Sequence, residues 1–231
     1  MKSCIVIPAF NEGGRIKVVL TKLLQSGFKN VILVDDGSDD ETLGTVKELP
    51  IIVAQHQINL GQGAALRTGT QIAMRLGFDV VVHFDADGQH RIEDIDTMLK
   101  VLENEDVDVV IGSRFLQHKS NLPLKKRIIL WLAKIFSRKL LQLEFTDPQS
   151  GLRAFRTSII SKIDWQHDDF AHCSEILSLI AKNRLRFEEV PIKVEYSVAT
   201  GNKSVKPQMR MGWRLLIAKL FNKYNKPLNN C

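Results

Sequence analysis

The chain has 231 residues, 44% of them hydrophobic and 25% charged. These values suit one domain with a sizeable core and exclude a wholly disordered protein. The formal net charge of +6 is uneven, because residues 115–143 and residues 196–231 each hold seven Lys or Arg and no Asp or Glu. Two such segments need an anionic partner, which can be a membrane, a phosphorylated substrate or a nucleic acid.

Short apolar runs alternate with helical patterns through the first half of the chain. The apolar runs predict strands at residues 4–8, 31–35, 51–55, 80–85 and 107–112. The helical patterns extend to about residue 26 and cover residues 64–76 and 92–103. Ser38 and Glu41 have capping-box spacing and predict a further helix towards residue 49. The alternation predicts an α/β fold with a mostly parallel sheet and helices on both faces.

The second half has a different pattern, without internal repeats or a linker. Residues 149–155 are predicted to be irregular or extended, residues 174–183 helical and residues 187–195 extended. Residues 124–143 and 208–224 predict basic amphipathic helices, which fit an anionic membrane surface. A helix packed on the domain with a solvated basic face is the alternative. We therefore expect a single domain over residues 1–231 with basic C-terminal helices.

Polar residues follow several of the predicted strands, at the edge where α/β sheets bind ligands. Asp85 and Asp87 stand at the end of a predicted buried strand, where a carboxylate is costly unless it is paired or binds a metal. Two close carboxylates favour Mg²⁺ or Mn²⁺, and Gln89 adds a neutral oxygen. A structural turn is the alternative, because the Asp-x-Asp spacing recurs at residues 94–96 and 106–108.

Two other loops are candidate ligand sites. Asp36 is predicted to accept a hydrogen bond from a nucleobase, whereas Ser38, two positions later, is a candidate helix cap. The loop at Gly61-Gln62-Gly63 lacks the third glycine of a dinucleotide fingerprint. It can still approach a phosphate, although a tight turn explains it equally well. No Ser-His-Asp or Cys-His arrangement is legible, and His83 is expected to be packed in the core.

Cysteine use and hydropathy favour a cytoplasmic protein. The three cysteines lie far apart, which argues against a disulfide framework and against a zinc cage. We expect no signal peptide, because polar residues follow the apolar run at residues 4–8 at once. We also expect no membrane span in the second half, where the longest uncharged apolar stretch covers only residues 128–133.

Taken in order, the motifs resemble those of family 2 glycosyltransferases with the GT-A fold, a Rossmann-like α/β fold. The likeness is strongest to the dolichol-phosphate mannose synthase and polyprenyl-phosphate glycosyltransferase branch, and it covers residues 3–206. The motifs are Pro8-Ala9-Phe10-Asn11-Glu12, Val34-Asp35-Asp36-Gly37-Ser38, Asn59-Leu60-Gly61-Gln62-Gly63, Asp85-Ala86-Asp87-Gly88-Gln89-His90, Gly112-Ser113-Arg114 and Asp147-Pro148-Gln149-Ser150-Gly151-Leu152-Arg153-Ala154-Phe155.

The resemblance implies a nucleotide-sugar-binding half in residues 1–115 and an acceptor and membrane-facing half in residues 116–231. The residues implied to bind the nucleotide are Pro8, Phe10, Glu12, Asp36, Gly63 and Asp85. The implied ligands of Mg²⁺ or Mn²⁺ are Asp85, Asp87 and Gln89. The residues implied to bind the acceptor are Arg114, Ser150, Lys203 and Lys206, and catalysis is assigned to Asp87 and Arg114.

Four positions depart from the family pattern. Phe10 replaces the usual Tyr and keeps a stacking face, and Gln62 replaces a common Lys. Thr146 and Thr200 stand where some relatives have Arg, which reduces the positive charge expected around an acceptor phosphate.

The implied reaction is an inverting transfer of a hexose from a UDP- or GDP-linked donor to a polyprenyl or dolichyl phosphate. A phosphate acceptor needs no general base, whereas a hydroxyl acceptor needs a carboxylate, for which Asp168, Asp169 and Glu175 are candidates. We expect a cytoplasmic enzyme bound peripherally to the inner face of a membrane. A sugar-nucleotide pyrophosphorylase lacks support, because no glycine-rich loop follows the first strand. A nucleic-acid-binding module is disfavoured by the 7% aromatic content.

Overall fold

Apolar runs in the sequence become strands of one sheet in the computed structural model, which describes residues 1–104, 106–116 and 145–194. The strands are β1 (Ser3–Ala9), β2 (Val31–Asp35), β3 (Ile52–Gln55), β4 (Val80–His83), β5 (Val109–Ser113), β6 (Arg153–Arg156) and β7 (Phe187–Pro191). The helices are α1 (Ile16–Gln25), α2 (Thr42–Val46), α3 (Gln62–Arg75), α4 (Glu93–Asn104), a 3-10 helix (Thr157–Lys162) and α5 (His172–Lys182). The predicted basic helices, Lys203 and Lys206 lie outside the described residues.

The strands lie in the order β3-β2-β1-β4-β6-β5-β7. The neighbours β1 and β2, β1 and β4, β2 and β3, and β5 and β7 run parallel. Only β6 is antiparallel among the described strands, and it lies between β4 and β5. The prediction of a mostly parallel sheet is confirmed, and the segment predicted to be irregular or extended supplies the antiparallel strand.

Helices cover both faces of the sheet, as predicted, because successive strand residues point to opposite sides. On one face, Ile5 and Ile7 of β1 join a core that includes side chains from α1, α2 and α4. On the other face, Cys4 and Val6 join a core built with α3, the 3-10 helix and α5. Gly69 lets α3 approach the sheet, since a Cβ atom there would lie 2.3 Å from Val6 Cγ1.

Two local predictions were wrong. The fourth strand ends at His83 rather than at residue 85, so Asp85 belongs to the loop that follows it. Ser38 does not cap a helix: α2 begins at Thr42, and its N–H donates to Asp40. The Ser38 hydroxyl instead accepts the N–H of Asn11 at 2.9 Å, which ties the loops after β1 and β2 together. No helix in the described ranges is long and apolar enough to cross a membrane.

Candidate active site

The loops after β1, β2 and β4 are joined at the carboxyl edge of the parallel strands. Besides the Asn11–Ser38 contact, the Asn11 side chain accepts the N–H of Asp39 at 3.0 Å. Glu12 donates its N–H to Thr42 Oγ1 at 2.9 Å, and its charge acts on Asp87. The structure thus brings residues from the first, second and fourth predicted motifs together, as their position after parallel strands indicates.

Asp85 is held by hydrogen bonds from two sides. Its Oδ1 accepts the Gln62 side-chain amide at 3.0 Å, and its Oδ2 lies 3.1 Å from His90 Nε2. Burial by itself raises the pKa of Asp85, but the hydrogen bond and charge of His90, followed by the charges of Arg153 and His172, lower the pKa overall. Asp85 is therefore an oriented, ionised carboxylate. The residues Gln62 and His90 were not predicted to hold it.

Asp87 lies in a more negative environment. Its Oδ1 accepts the main-chain N–H of Gln89 at 3.0 Å. Burial raises the pKa of Asp87, and the charges of Asp85 and Glu12 act in the same direction. A cation bound to this carboxylate would offset the cost of burying its negative charge and the repulsion from Asp85 and Glu12.

The donor chemistry fits a hard divalent cation that the protein binds only in part. In the described part of the chain, no group of three or more His, Cys, Asp or Glu side chains is arranged to enclose a metal. Mg²⁺ is commonly held by one or two carboxylates, with substrate phosphates and water as its other ligands. Asp87, with Asp85 beside it, meets that requirement. Gln89 contributes its main-chain N–H to Asp87, and its role as a metal ligand stays a prediction.

Asp36 organises the loop that leads into α3. Its Oδ1 accepts the N–H of Leu60 at 3.0 Å and lies 2.7 Å from His56 Nδ1, while Oδ2 accepts the N–H of Gly61 at 2.7 Å. His56 Nε2 is 3.0 Å from the hydroxyl of Thr68. A carboxylate–imidazole–hydroxyl chain therefore exists that the sequence did not make legible. Its hydroxyl belongs to a threonine inside helix α3, which favours a structural role.

A buried Cys-His pair also exists that the sequence did not make legible. Cys173 Sγ is 3.5 Å from His172 Nε2, and both residues are buried. His172 and Cys173 are consecutive in the sequence, and two adjacent residues do not form a recognisable catalytic motif.

The glycine loop packs against the chain itself. Gly63 donates its N–H to the Asp168 carbonyl at 2.7 Å, and its own carbonyl accepts the indole N–H of Trp165 at 2.9 Å. A Cβ atom on Gly63 would lie 2.3 Å from the His167 carbonyl oxygen. This close packing accounts for the glycine without a phosphate, in keeping with the tight-turn alternative.

The two other predicted nucleoside contacts differ in exposure. Phe10 is 42% exposed just after β1, so its ring has a free face for stacking. Pro8 is buried within β1, where it pairs with Val34 of β2.

The three candidate bases all hold the segment that precedes α5. Glu175 accepts the N–H groups of Gln166 and His167 at 2.9 and 2.8 Å. Asp169 Oδ1 accepts the N–H of Ala171 at 2.9 Å. Asp168 forms an ion pair with Arg67. Each carboxylate therefore has a structural partner.

Arg114 is oriented by a carboxylate that the sequence analysis did not single out. Its Nε and Nη2 donate to the two oxygens of buried Asp147 at 2.6 and 2.7 Å. Glu189 in turn accepts the N–H groups of Thr146 and Asp147 at 2.9 and 3.3 Å. Ser150, a predicted acceptor contact, is buried and donates to the Leu152 carbonyl at 3.4 Å. The available signal was that Asp147 begins the last of the quoted family motifs.

Known proteins resemble the chain in sequence and fold. The family model described as "Glycosyl transferase family 2" matches residues 4–164. The UDP-N-acetylglucosamine–dolichyl-phosphate N-acetylglucosaminyltransferase of Methanococcus voltae is 36% identical, over 94% of this chain and 95% of that protein. The polyprenol monophosphomannose synthase of Mycolicibacterium smegmatis is 29% identical, over 76% and 69% of the two chains.

Among solved structures, glucosyl-3-phosphoglycerate synthase from Mycobacterium tuberculosis, in complex with Mn²⁺, uridine diphosphate and phosphoglyceric acid, has a TM-score of 0.71. The two sequences are 17% identical, and the matched region includes 99% of this chain and 80% of the synthase chain. This likeness shows the fold.

Proposed function

The chain belongs to glycosyl transferase family 2, and we propose that within this family it transfers a hexose from a UDP- or GDP-linked donor to a polyprenyl or dolichyl phosphate. The proposed enzyme inverts the anomeric centre, requires Mg²⁺ or Mn²⁺ and works at the inner face of a membrane. The relatives in Methanococcus and Mycolicibacterium support this acceptor class, since their names specify dolichyl phosphate and polyprenol monophosphomannose.

The observation that carries the proposal is the contrast between the two carboxylates after β4. Asp85 is fixed by Gln62 and His90, whereas Asp87 carries a raised pKa in a half-buried, negatively charged position. Asp85 is suited to orient the donor, and Asp87 is suited to bind a cation together with the donor diphosphate. When bound, that cation supplies positive charge to the departing diphosphate.

Arg114 supports a phosphate as the acceptor. A phosphate is already an anion at neutral pH, so it needs a positioned cation rather than a general base. The two-pronged contact with Asp147 fixes the plane of the Arg114 guanidinium. The charge of Arg114 also acts on His90, which touches Asp85, so the arginine lies within electrostatic reach of the donor site.

A hydroxyl acceptor on a glycan or glycolipid is the alternative. It requires a carboxylate free to take a proton, but Asp168, Asp169 and Glu175 all hold the segment before α5. This arrangement favours the phosphate. The membrane contact is assigned to the basic segments at residues 124–143 and 208–224, and no role is proposed for nucleic acid.

The test is transfer of labelled sugar from a panel of UDP- and GDP-sugars into a solvent-extractable lipid. Purified protein would be incubated with polyprenyl phosphate and Mg²⁺ or Mn²⁺. Asp87→Ala should abolish transfer, and Asp96→Ala is the matched control, because Asp96 belongs to another Asp-x-Asp and is exposed on α4. An acid-labile, metal-dependent lipid product supports the proposal. If the protein binds a nucleotide sugar in a metal-dependent way but forms no lipid product, the phosphate acceptor is wrong and a hydroxyl acceptor is favoured.

A further inference from the structure

A carboxylate lies in the middle of β7, on a face of the sheet that is otherwise apolar. Glu189 pairs with Ile111 of the parallel strand β5, and Ile111 belongs to the core built with α3 and α5. Phe187, two residues before Glu189, shares its face and packs against Phe145, with ring centroids 4.6 Å apart. A carboxylate among such neighbours is costly unless it is hydrogen-bonded, so its place in the strand needs an explanation.

Both oxygens of Glu189 accept hydrogen bonds from the main chain of one turn. The nitrogen of Thr146 lies 2.9 Å from Oε1 and 3.0 Å from Oε2, and the nitrogen of Asp147 lies 3.3 Å from Oε1. The Thr146 hydroxyl also lies 2.5 Å from the hydroxyl of Ser113, the last residue of β5. The turn is therefore tied to two neighbouring strands, and β7 holds it through an acceptor that can carry a charge.

The same turn presents Asp147 to Arg114. Besides the two side-chain contacts described above, the main-chain N–H of Arg114 donates to Asp147 Oδ2 at 3.2 Å. The Asp147 side chain is 1% exposed and that of Arg114 is 31% exposed, so the carboxylate lies inside and a ligand can reach the guanidinium from solvent. The orientation of Arg114 thus depends on where the turn holds Asp147, and the turn depends on Glu189.

The charges favour a role for Glu189 beyond holding the turn. Asp147 already forms the ion pair with Arg114, and among the described residues no ion pair includes Glu189. Burial raises the pKa of Glu189, and the charge of Asp147 adds to this. An uncharged acceptor would hold the turn without placing two carboxylates close together. Proteins retain local costs of this kind mainly at functional sites.

We propose that Glu189 is a positioning residue that holds the Thr146–Asp147 turn, so that Asp147 fixes the guanidinium of Arg114 towards the acceptor. The fixed orientation of Arg114 does not depend on any activity. The effect on the acceptor rests on the proposed function, in which Arg114 binds the acceptor phosphate. The two parts of the proposal therefore have separate tests.

The orientation of Arg114 is tested by NMR of the arginine Nε–H groups in the full-length protein, with the Arg114 signal assigned by its absence from Arg114→Lys. Hydrogen-bonded to Asp147, this N–H should exchange slowly with water. Glu189→Gln has the same shape but no charge, and it should speed the exchange about tenfold, which corresponds to about 1.4 kcal/mol. Glu188→Gln is the matched control, since Glu188 is the exposed preceding residue of β7 and should leave the rate unchanged.

Unfolding by urea, measured under the conditions of the NMR experiment, separates positioning from a merely structural role. Faster exchange of the Arg114 Nε–H in a Glu189→Gln protein that is at least as stable as the wild type supports positioning. An exchange rate equal to that of the wild type overturns it. Faster exchange with a matching loss of unfolding free energy also overturns it, because Glu189 would then only stabilise the fold.

The effect on the acceptor is tested by a double-mutant cycle on the KM for polyprenyl phosphate. Arg114→Lys and Glu189→Ala should each raise this KM about tenfold. Independent residues would give about 100-fold in the double variant, whereas a residue that acts through Arg114 should leave it near about tenfold. Glu189→Gln keeps one acceptor oxygen and should raise the KM about threefold, but only where Arg114 is intact. This second variant decides if Glu189→Ala does not fold.

The KM for the nucleotide-sugar donor should stay within about twofold of the wild-type value in each Glu189 variant. An additive effect in the double variant would show that Glu189 acts independently of Arg114, and an unchanged acceptor KM in both Glu189 variants would show that it does not act on the acceptor. Either result overturns this part. If the wild type transfers no sugar, the proposed function fails, while the exchange experiment still decides whether Glu189 positions Arg114.

Discussion

Gly151 lies so close to Asp85 that a Cβ atom on the glycine would stand 2.1 Å from Asp85 Oδ2. Asp85 cannot easily withdraw, because Gln62 holds one of its oxygens and His90 the other. The glycine before Leu152 is therefore required by a carboxylate in the site. The backbone conformation at Gly151 imposes no such requirement, since its φ is not positive.

Gly151→Ala should for this reason impair transfer more than stability. Moving Asp85 aside breaks one of its hydrogen bonds, and a misplacement of this size costs about 100-fold in kcat/KM. Overpacking should cost about 1–3 kcal/mol in the free energy of unfolding. Gly14→Ala is the matched control, because nothing lies within 4 Å of a Cβ atom there. Equal activity of the two variants would show that Asp85 is free to move.

Gly63→Ala should instead destabilise the fold. The added methyl meets the main-chain carbonyls of His167 and Asp168, which cannot rotate away as a side chain can. We expect a loss of about 1–3 kcal/mol, measured by urea denaturation. Gly44→Ala is the control, since its methyl meets mainly the flexible Glu41 side chain and alanine is favoured in helices. Weaker nucleotide binding with unchanged stability would instead indicate a phosphate contact at Gly63.

The sequence predicted the sheet and the location of the site because both depend on local patterns. Continuous apolar runs marked five strands, and polar residues after them marked the binding edge. The antiparallel strand β6 was harder to predict, because it begins with Arg153, a charged residue that is nevertheless buried. A charged residue in a short run gives no strand signal.

Contacts between distant loops were not predictable from one sequence. Asn11 and Ser38 are 27 positions apart, and Arg114 and Asp147 are 33 apart. The capping-box rule assigned Ser38 to the start of the following helix, but its hydroxyl accepts a hydrogen bond from Asn11 in the loop after β1. Such pairings follow from the strand order, which brings β1 beside β2 and β5 beside β6.

Arg114→Lys should weaken binding of the acceptor and leave binding of the donor unchanged. Lysine cannot reproduce the two-pronged contact with Asp147, so the cation loses its fixed orientation. We expect the KM for polyprenyl phosphate to rise about tenfold, which corresponds to about 1.4 kcal/mol. The KM for the nucleotide-sugar donor should stay within about twofold of the wild-type value, which corresponds to less than about 0.5 kcal/mol.

Arg186→Lys is the control for this substitution. Arg186 also contacts an aspartate, Asp108, but it is exposed and precedes β7, at the opposite end of the sheet from Arg114. Its replacement should change neither KM. If Arg114→Lys instead raises the KM for the donor, Arg114 contacts the donor diphosphate rather than the acceptor.

Glu189→Gln should change how stability depends on pH. Burial raises the pKa of Glu189 above its usual 4.5 and the charge of Asp147 adds to this, although the N–H groups of Thr146 and Asp147 oppose it. The folded chain therefore binds this proton more tightly than the unfolded chain. The stability that Glu189 contributes is full below 4.5 and is lost as the pH rises through the higher folded pKa.

Glutamine keeps an oxygen for the N–H groups of Thr146 and Asp147 but carries no charge. The variant should match the wild type at low pH and be the more stable of the two at neutral pH, as measured by urea denaturation across the pH range. Glu188→Gln, an exposed neighbour on β7, should follow the wild type at every pH. A neutral-pH loss of stability in Glu189→Gln would mean that the ionised carboxylate strengthens its contacts with the Asp147 loop by more than its burial costs.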